Sequence, residues 1–233
     1  KRLGWGEPLI MENIAFQLSK IFGQEKPHFA RIFSSFFWIL SSLFFFRLCT
    51  KLMDYDGAVF SLLFYLFSPF GVLVSRSFQP DGLMVSMLVI AIFFIHEYFV
   101  KLDLSSLCLA IITSCLAIYI KAPAIFFITF VFLFLSLWTW GVKETLLKPS
   151  NYIFGFIVIV LGTIHYWIGI FNNDNVLYQA NTVFNPFLIL KPGVLASWLG
   201  QINFVVGFIP LFFGFISLFI FQKGLLKSLS LGL

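Results

Sequence analysis

Long apolar runs and short polar connectors alternate along almost the whole chain. Seven runs, at about 32–46, 57–74, 83–100, 104–120, 123–141, 152–171 and 198–221, each approach the ~20 residues needed to cross a bilayer. Unpaired peptide groups cannot sit in lipid, so each run is expected to be a helix. The connectors are mostly short, which makes successive helices antiparallel. Before the first run, Pro8 to Gly23 carries apolar Leu9, Ile14, Phe16, Leu18, Ile21 and Phe22 among polar Glu12, Gln17, Ser19 and Lys20. This pattern predicts an amphipathic helix lying in the interface plane, started near Pro8 and stopped by Gly23. The expected fold is therefore all-α, a polytopic membrane bundle of about seven spans. Residues 1–31 form an outer-face segment with the interfacial helix, and residues 32–233 form the transmembrane domain. Pro69, Pro123 and Pro210 fall inside or at the edges of runs, where they are expected to kink a span or free a carbonyl.

Composition agrees with a chain solvated by lipid. It is 60% hydrophobic and 11% charged, against about 45–50% and roughly 25% in soluble domains. The net charge of +5 is spread along the connectors with no dense basic run, which speaks for topology and headgroup contact and against nucleic acid. Connectors on one side carry seven basic residues: Arg47, Lys51, Lys101, Lys143, Lys148, Lys223 and Lys227. Those on the other carry three: Arg76, Lys121 and Lys191. The first set is assigned to the cytoplasm. The N-terminal stretch, with Lys1, Arg2, Lys20, Lys26 and Arg31, falls on the outer side and opposes that bias. The chain begins at Lys1 and ends just after a run, so it is expected to be an N-terminally truncated piece of a longer membrane protein. Cys49, Cys108 and Cys115 lie in apolar runs without metal-ligand spacing and read as buried hydrophobes.

Against this background the hairpin from Ser75 to Gly82 stands out, because it sets Arg76, Gln79 and Asp81 at the mouth of two spans. Charges next to hydrocarbon are costly and mark functional sites. Asp81 follows Pro80 at the start of a run. It reads either as a helix N-cap, paired with Arg76, or as a carboxylate that binds or activates a substrate hydroxyl or helps hold a metal. Lys121 interrupts two runs, with Pro123 two residues on. It reads either as a snorkelling side chain or, with Arg76 and Arg31, as a binder of lipid phosphate or pyrophosphate. Glu7 precedes the amphipathic helix and reads either as a charge favouring its dipole or as a catalytic or metal-binding carboxylate. His165 is expected to bond to a neighbouring helix, and His96-Glu97 to lie at the cytoplasmic interface. There is no Gly-rich phosphate loop, Ser/His/Asp grouping or Cys/His cluster.

Glu7-Pro8-Leu9, Ile21-Phe22-Gly23, Ala30-Arg31, Ser68-Pro69, Arg76 to Asp81 and Lys121-Ala122-Pro123 occur in an order and spacing that resembles the C-type (GT-C) glycosyltransferases. The nearest branch is that of the protein O-mannosyltransferases and lipid A aminoarabinose transferases. The resemblance covers roughly the first 125 residues. It implies a multi-span enzyme that moves a sugar from a polyprenyl-phosphate donor to a lipid, glycan or protein acceptor on the non-cytoplasmic face. The implied reaction is an inverting displacement, and the implied home is the inner membrane of a prokaryote. The family's main catalytic Asp precedes the Glu-Pro-Leu stretch; residues 1–53 hold no Asp, so that residue is expected to be absent from this chain. Asp81 matches a second acidic position. The resemblance thus implies Asp81 and Glu7 as catalytic carboxylates, Arg76, Lys121 and Arg31 as donor-phosphate contacts, and a divalent metal ion as a candidate cofactor, with Glu7 as a possible ligand. A transporter or flippase of lipid-linked sugars and a non-catalytic membrane subunit are the alternatives. A polysaccharide polymerase or ligase would require an outer loop rich in Arg and His, and residues 172–197 have neither.

Overall fold

The computed structural model describes residues 8–23, 28–77, 79–172, 191–212 and 216, and among these the secondary structure is helical with no strand. The order is α1 (Ile10–Phe22), α2 (His28–Leu52), α3 (Tyr55–Phe67), α4 (Pro69–Ser75), α5 (Pro80–Lys101), α6 (Leu104–Ile120), α7 (Ala124–Leu147), α8 (Pro149–Asn172) and α9 (Pro192–Val205). The chain is an all-α membrane helix bundle. Among the described residues, four helices are long and apolar enough to cross a bilayer: α2 from Arg31, α5, α7, and α8 to Gly169. The bent pair α3 and α4 makes a fifth if it is one span. The expected count of seven is not reached among the described residues. α6 is apolar but only 17 residues long. The last run is broken, because α9 ends at Val205 and Gly207 turns the backbone with φ +82°. Most of that run beyond Phe212 lies outside the described residues, as does most of the 172–197 connector.

α1 forms where the amphipathic pattern placed it. It starts at Ile10, two residues after Pro8, and ends at Gly23, which takes the left-handed conformation (φ 66°) that a side chain would resist. Met11 is 1% exposed and joins the core cluster that contains Leu83 and Met87. Leu9, Phe16, Ile21 and Phe22 remain 53% to 73% exposed. α1 therefore anchors to the bundle by one face and offers apolar side chains to the interface. α2 begins at His28, a turn before the apolar run.

The α3–α4 break follows from Pro69. Proline has no N–H to give the preceding turn, so the chain bends by 57° there. Ser68 caps the new helix, accepting from the Gly71 amide at 3.2 Å. α7 breaks at Gly141 (φ 73°). Beyond it Asn151 donates to Ser136 Oγ at 3.0 Å and to the Thr145 carbonyl at 2.8 Å, closing the α7–α8 connection.

α5 is the central helix. It packs against α2, α6 and α7, while α6 also packs against α8. Small residues make close approach possible: Ser86, Ala91, Ala110, Ser114, Ala117 and Ala124 are all 0% exposed. Gly162 of α8 sits so close to Ile118 that an added Cβ would lie 3.0 Å from the Ile118 side chain. The outward surface is apolar. Phe60, Phe126, Phe130 and Phe156 are each at least 65% exposed, an arrangement suited to lipid and unsuited to water. The antiparallel path brings α1, the start of α2, the hairpin between α4 and α5, and the α6–α7 turn to one end of the bundle.

Candidate functional site

At that end Lys121 Nζ donates to Asp81 Oδ1 at 2.8 Å. The two residues are forty apart in sequence: Asp81 is in α5, and Lys121 is the residue that follows α6. Their side chains are 25% and 38% exposed, respectively, so the pair is neither sealed in the core nor fully in water. Asp81 is in the first turn of α5, but the N-cap is Gln79, whose side chain makes no cap bond, and Pro80 takes the first helical position. The carboxylate is therefore aimed across at Lys121. The N-cap reading and the Arg76 pairing both give way to this ion pair. Its geometry has a local cause. Lys121 caps α6 with an extended backbone (φ −153°, ψ 118°), its N–H bonded to the Ala117 carbonyl. Pro123 and the short turn then send the chain into α7.

Tyr166 completes this corner. Its hydroxyl accepts from the Ala122 amide at 3.0 Å, fixing the turn next to Lys121. Sequence alone does not single out Tyr166, because a tyrosine in an apolar run has no pattern that says which amide it will meet. His165 makes an edge contact with Tyr119 at 5.8 Å between ring centres.

Arg76 and Arg31 stand at the neighbouring corner. Arg76 is exposed and caps the C-terminus of α4. Ser35 Oγ donates to the Ser75 carbonyl at 2.9 Å, tying α2 to the residue before Arg76. Arg31 lies one turn before Ser35 on α2 and thus on the same face. Gly82 is clamped between α2 and α4: a Cβ there would meet Ser34 Oγ and the Val74 carbonyl, each at 2.9 Å. These contacts hold the hairpin, and with it Asp81, against the start of α2. Of the five site residues expected from sequence, the structure joins Asp81 to Lys121 directly and puts Arg31 and Arg76 at the same end. Glu7 lies outside the described residues. Among those described, no three His, Cys, Asp or Glu side chains converge to hold a metal ion, and Asp81 Oδ1 already bears an ammonium. These residues do not form a divalent-metal site by themselves.

A helical bundle with an apolar exterior and a carboxylate–ammonium pair at the edge of the spans defines an integral membrane protein with a polar site at one face. The family model described as dolichyl-phosphate-mannose-protein mannosyltransferase matches residues 7–167, more than half of the chain. The chain belongs to that family, and it is a membrane glycosyltransferase of the C type. The match runs past Lys121 through α7 and most of α8, where the sequence reading saw only hydropathy. No curated protein and no solved structure matches the chain.

Proposed function

We propose that the chain transfers a sugar from a polyprenyl-phosphate donor to an acceptor hydroxyl on the non-cytoplasmic side of the membrane. The observation that carries this reading is the Lys121–Asp81 ion pair at the mouth of the spans, inside the segment matched by a family described by a dolichyl-phosphate-mannose donor and a protein acceptor. The acceptor oxygen attacks the anomeric carbon as the bond from that carbon to the phosphate oxygen breaks. The polyprenyl phosphate departs with the electron pair, and the configuration inverts. A carboxylate takes the acceptor proton. Asp81 supports this end of the reaction, and Glu7 is proposed as a second carboxylate. Lys121, Arg76 and Arg31 receive the charge that grows on the leaving phosphate, where positioned cations stabilise the transition state.

A lipid-borne donor suits this reading, because Asp81, Lys121, Arg76 and Arg31 gather at one end of the bundle, where a polyprenyl chain in the bilayer would deliver its phosphate. The proposed membrane is a prokaryotic inner membrane with the site facing outward. The test is transfer of radiolabel in membranes from a polyprenyl-phosphate sugar and, in parallel, from a nucleotide sugar. Label moving from the lipid donor alone, with inverted anomeric configuration in the product, is the expected result. Transfer from the nucleotide sugar alone would overturn the donor assignment. Movement of intact lipid-linked sugar across the bilayer, without transfer, would favour a transporter.

A further inference from the structure

A pocket with charged lining opens at the other end of the bundle. Asp81 and Glu97 are both on α5, about 24 Å apart along its axis at 1.5 Å per residue. The pocket has a volume of about 530 Å³, lies between α2, α5 and the start of α6, and is lined by Arg47, Lys51, Phe93, Glu97, Lys101 and Asp103 among others. Glu97 is 4% exposed. One of its carboxylate oxygens accepts from Lys51, and the other faces Lys101 Nζ at 2.6 Å.

A buried carboxylate is costly unless it is paired, and here the pairing does something further: it holds two ammonium groups in place. The Lys51 and Lys101 side chains remain 39% and 55% exposed, respectively, and each ammonium has three donors, so both keep donors for a ligand. Asp103 is the N-cap of α6: its Oδ2 accepts from the Ser106 amide at 3.3 Å, and its Oδ1 is buried without a hydrogen-bond partner, so the three cations of the pocket outnumber its two carboxylates by one. Arg47 adds an exposed guanidinium, whose fork geometry suits phosphate. Apolar Phe93, Phe94 and Leu109, with the hydroxyl residues Thr50, Ser105 and Ser106, complete the wall. Cationic donors above an apolar wall, at the end of membrane helices, match a phosphate carried on a lipid.

We propose that this pocket binds the phosphate of an anionic lipid headgroup in the adjoining leaflet. Arg47 is the main contact, and Lys51 and Lys101, positioned by Glu97, flank it. The proposal stands apart from the sugar-transfer reading, since it concerns the opposite end of the bundle. Free phosphate shares the chemistry, so the test separates the two sources.

The purified chain in detergent is titrated with phosphatidylglycerol, with phosphatidylcholine and with inorganic phosphate, and bound adducts are counted by native mass spectrometry. Phosphatidylglycerol should be retained at concentrations at least about tenfold lower than phosphatidylcholine. Arg47→Gln and Lys101→Gln should each weaken that retention about tenfold, whereas Lys20→Gln at the other end should not. The Arg47 side chain is exposed, so its replacement leaves the packing intact. Equal retention of the two lipids, an unaffected Arg47→Gln variant, or adducts of inorganic phosphate alone would each overturn the proposal.

Discussion

At the scale of residues, the partner of each charge decides what it can do. Asp81 points at Lys121 over 2.8 Å, so removing either member changes the field at the membrane surface. Asp81→Asn and Lys121→Ala are each expected to lower sugar transfer by about a hundredfold or more, the usual scale for losing an aligned electrostatic group. Membrane abundance should stay unchanged, which a blot alongside the activity assay checks. The Asp81 carboxylate and the Lys121 cation were legible because charges beside apolar runs are rare. That they meet each other was not legible, since forty residues separate them and the N-cap reading was equally available. The Lys51–Glu97–Lys101 cluster was not legible: Glu97 reads only as interfacial and the two lysines only as topology signals, because a glutamate at the end of a span gives no sign of how deep it will sit. Asp103 offers a check on capping. The Ser106 hydroxyl, with its amide, holds the Asp103 carboxyl below its ordinary value of 3.8. A depressed carboxylate stabilises the fold above its unfolded pKa and loses that contribution as pH falls through its folded pKa. The melting temperature of the wild type, relative to Asp103→Asn (which caps without titrating), should therefore fall as pH drops below about 4. A constant difference down to about pH 2.5 would contradict this.

At the scale of elements, the site depends on two interruptions of regular helix. Ser68-Pro69 breaks α3 from α4, and the extended Lys121 separates α6 from α7. Both were visible in the sequence through their prolines, and the amphipathic α1 through its spacing. The position of Gly82 was not, because glycine reads as a turn residue and its use here is to let α5 press against α2 and α4. Gly82→Ala puts a methyl 2.9 Å from Ser34 Oγ and from the Val74 carbonyl. Overpacking of this kind costs about 1–3 kcal/mol. The variant should unfold at lower temperature and lose activity, because the hairpin carrying Asp81 must shift. A fully active Gly82→Ala with unchanged melting would show that the hairpin is not held by this contact.

At the scale of the whole molecule, hydropathy gave the class, and the path of the helices gave the site. An alternating chain with short connectors must return every second connector to the same end, which is why the hairpin and the Lys121 turn come together. The number of spans was less legible. A 17-residue α6 and a last run broken after Val205 look like full spans to an apolar count, because hydropathy does not register where a helix stops. In the proposed function the Asp81–Lys121 pair performs chemistry and does more than join α5 to the α6–α7 turn. Exchanging the two residues, Asp81→Lys with Lys121→Asp, keeps the ion pair and reverses its direction. We expect the exchanged protein to reach the membrane and to melt near the wild-type temperature, while transferring no sugar from a polyprenyl-phosphate donor. Transfer at the wild-type rate by the exchanged pair would show that the pair is a structural bridge without a part in the chemistry.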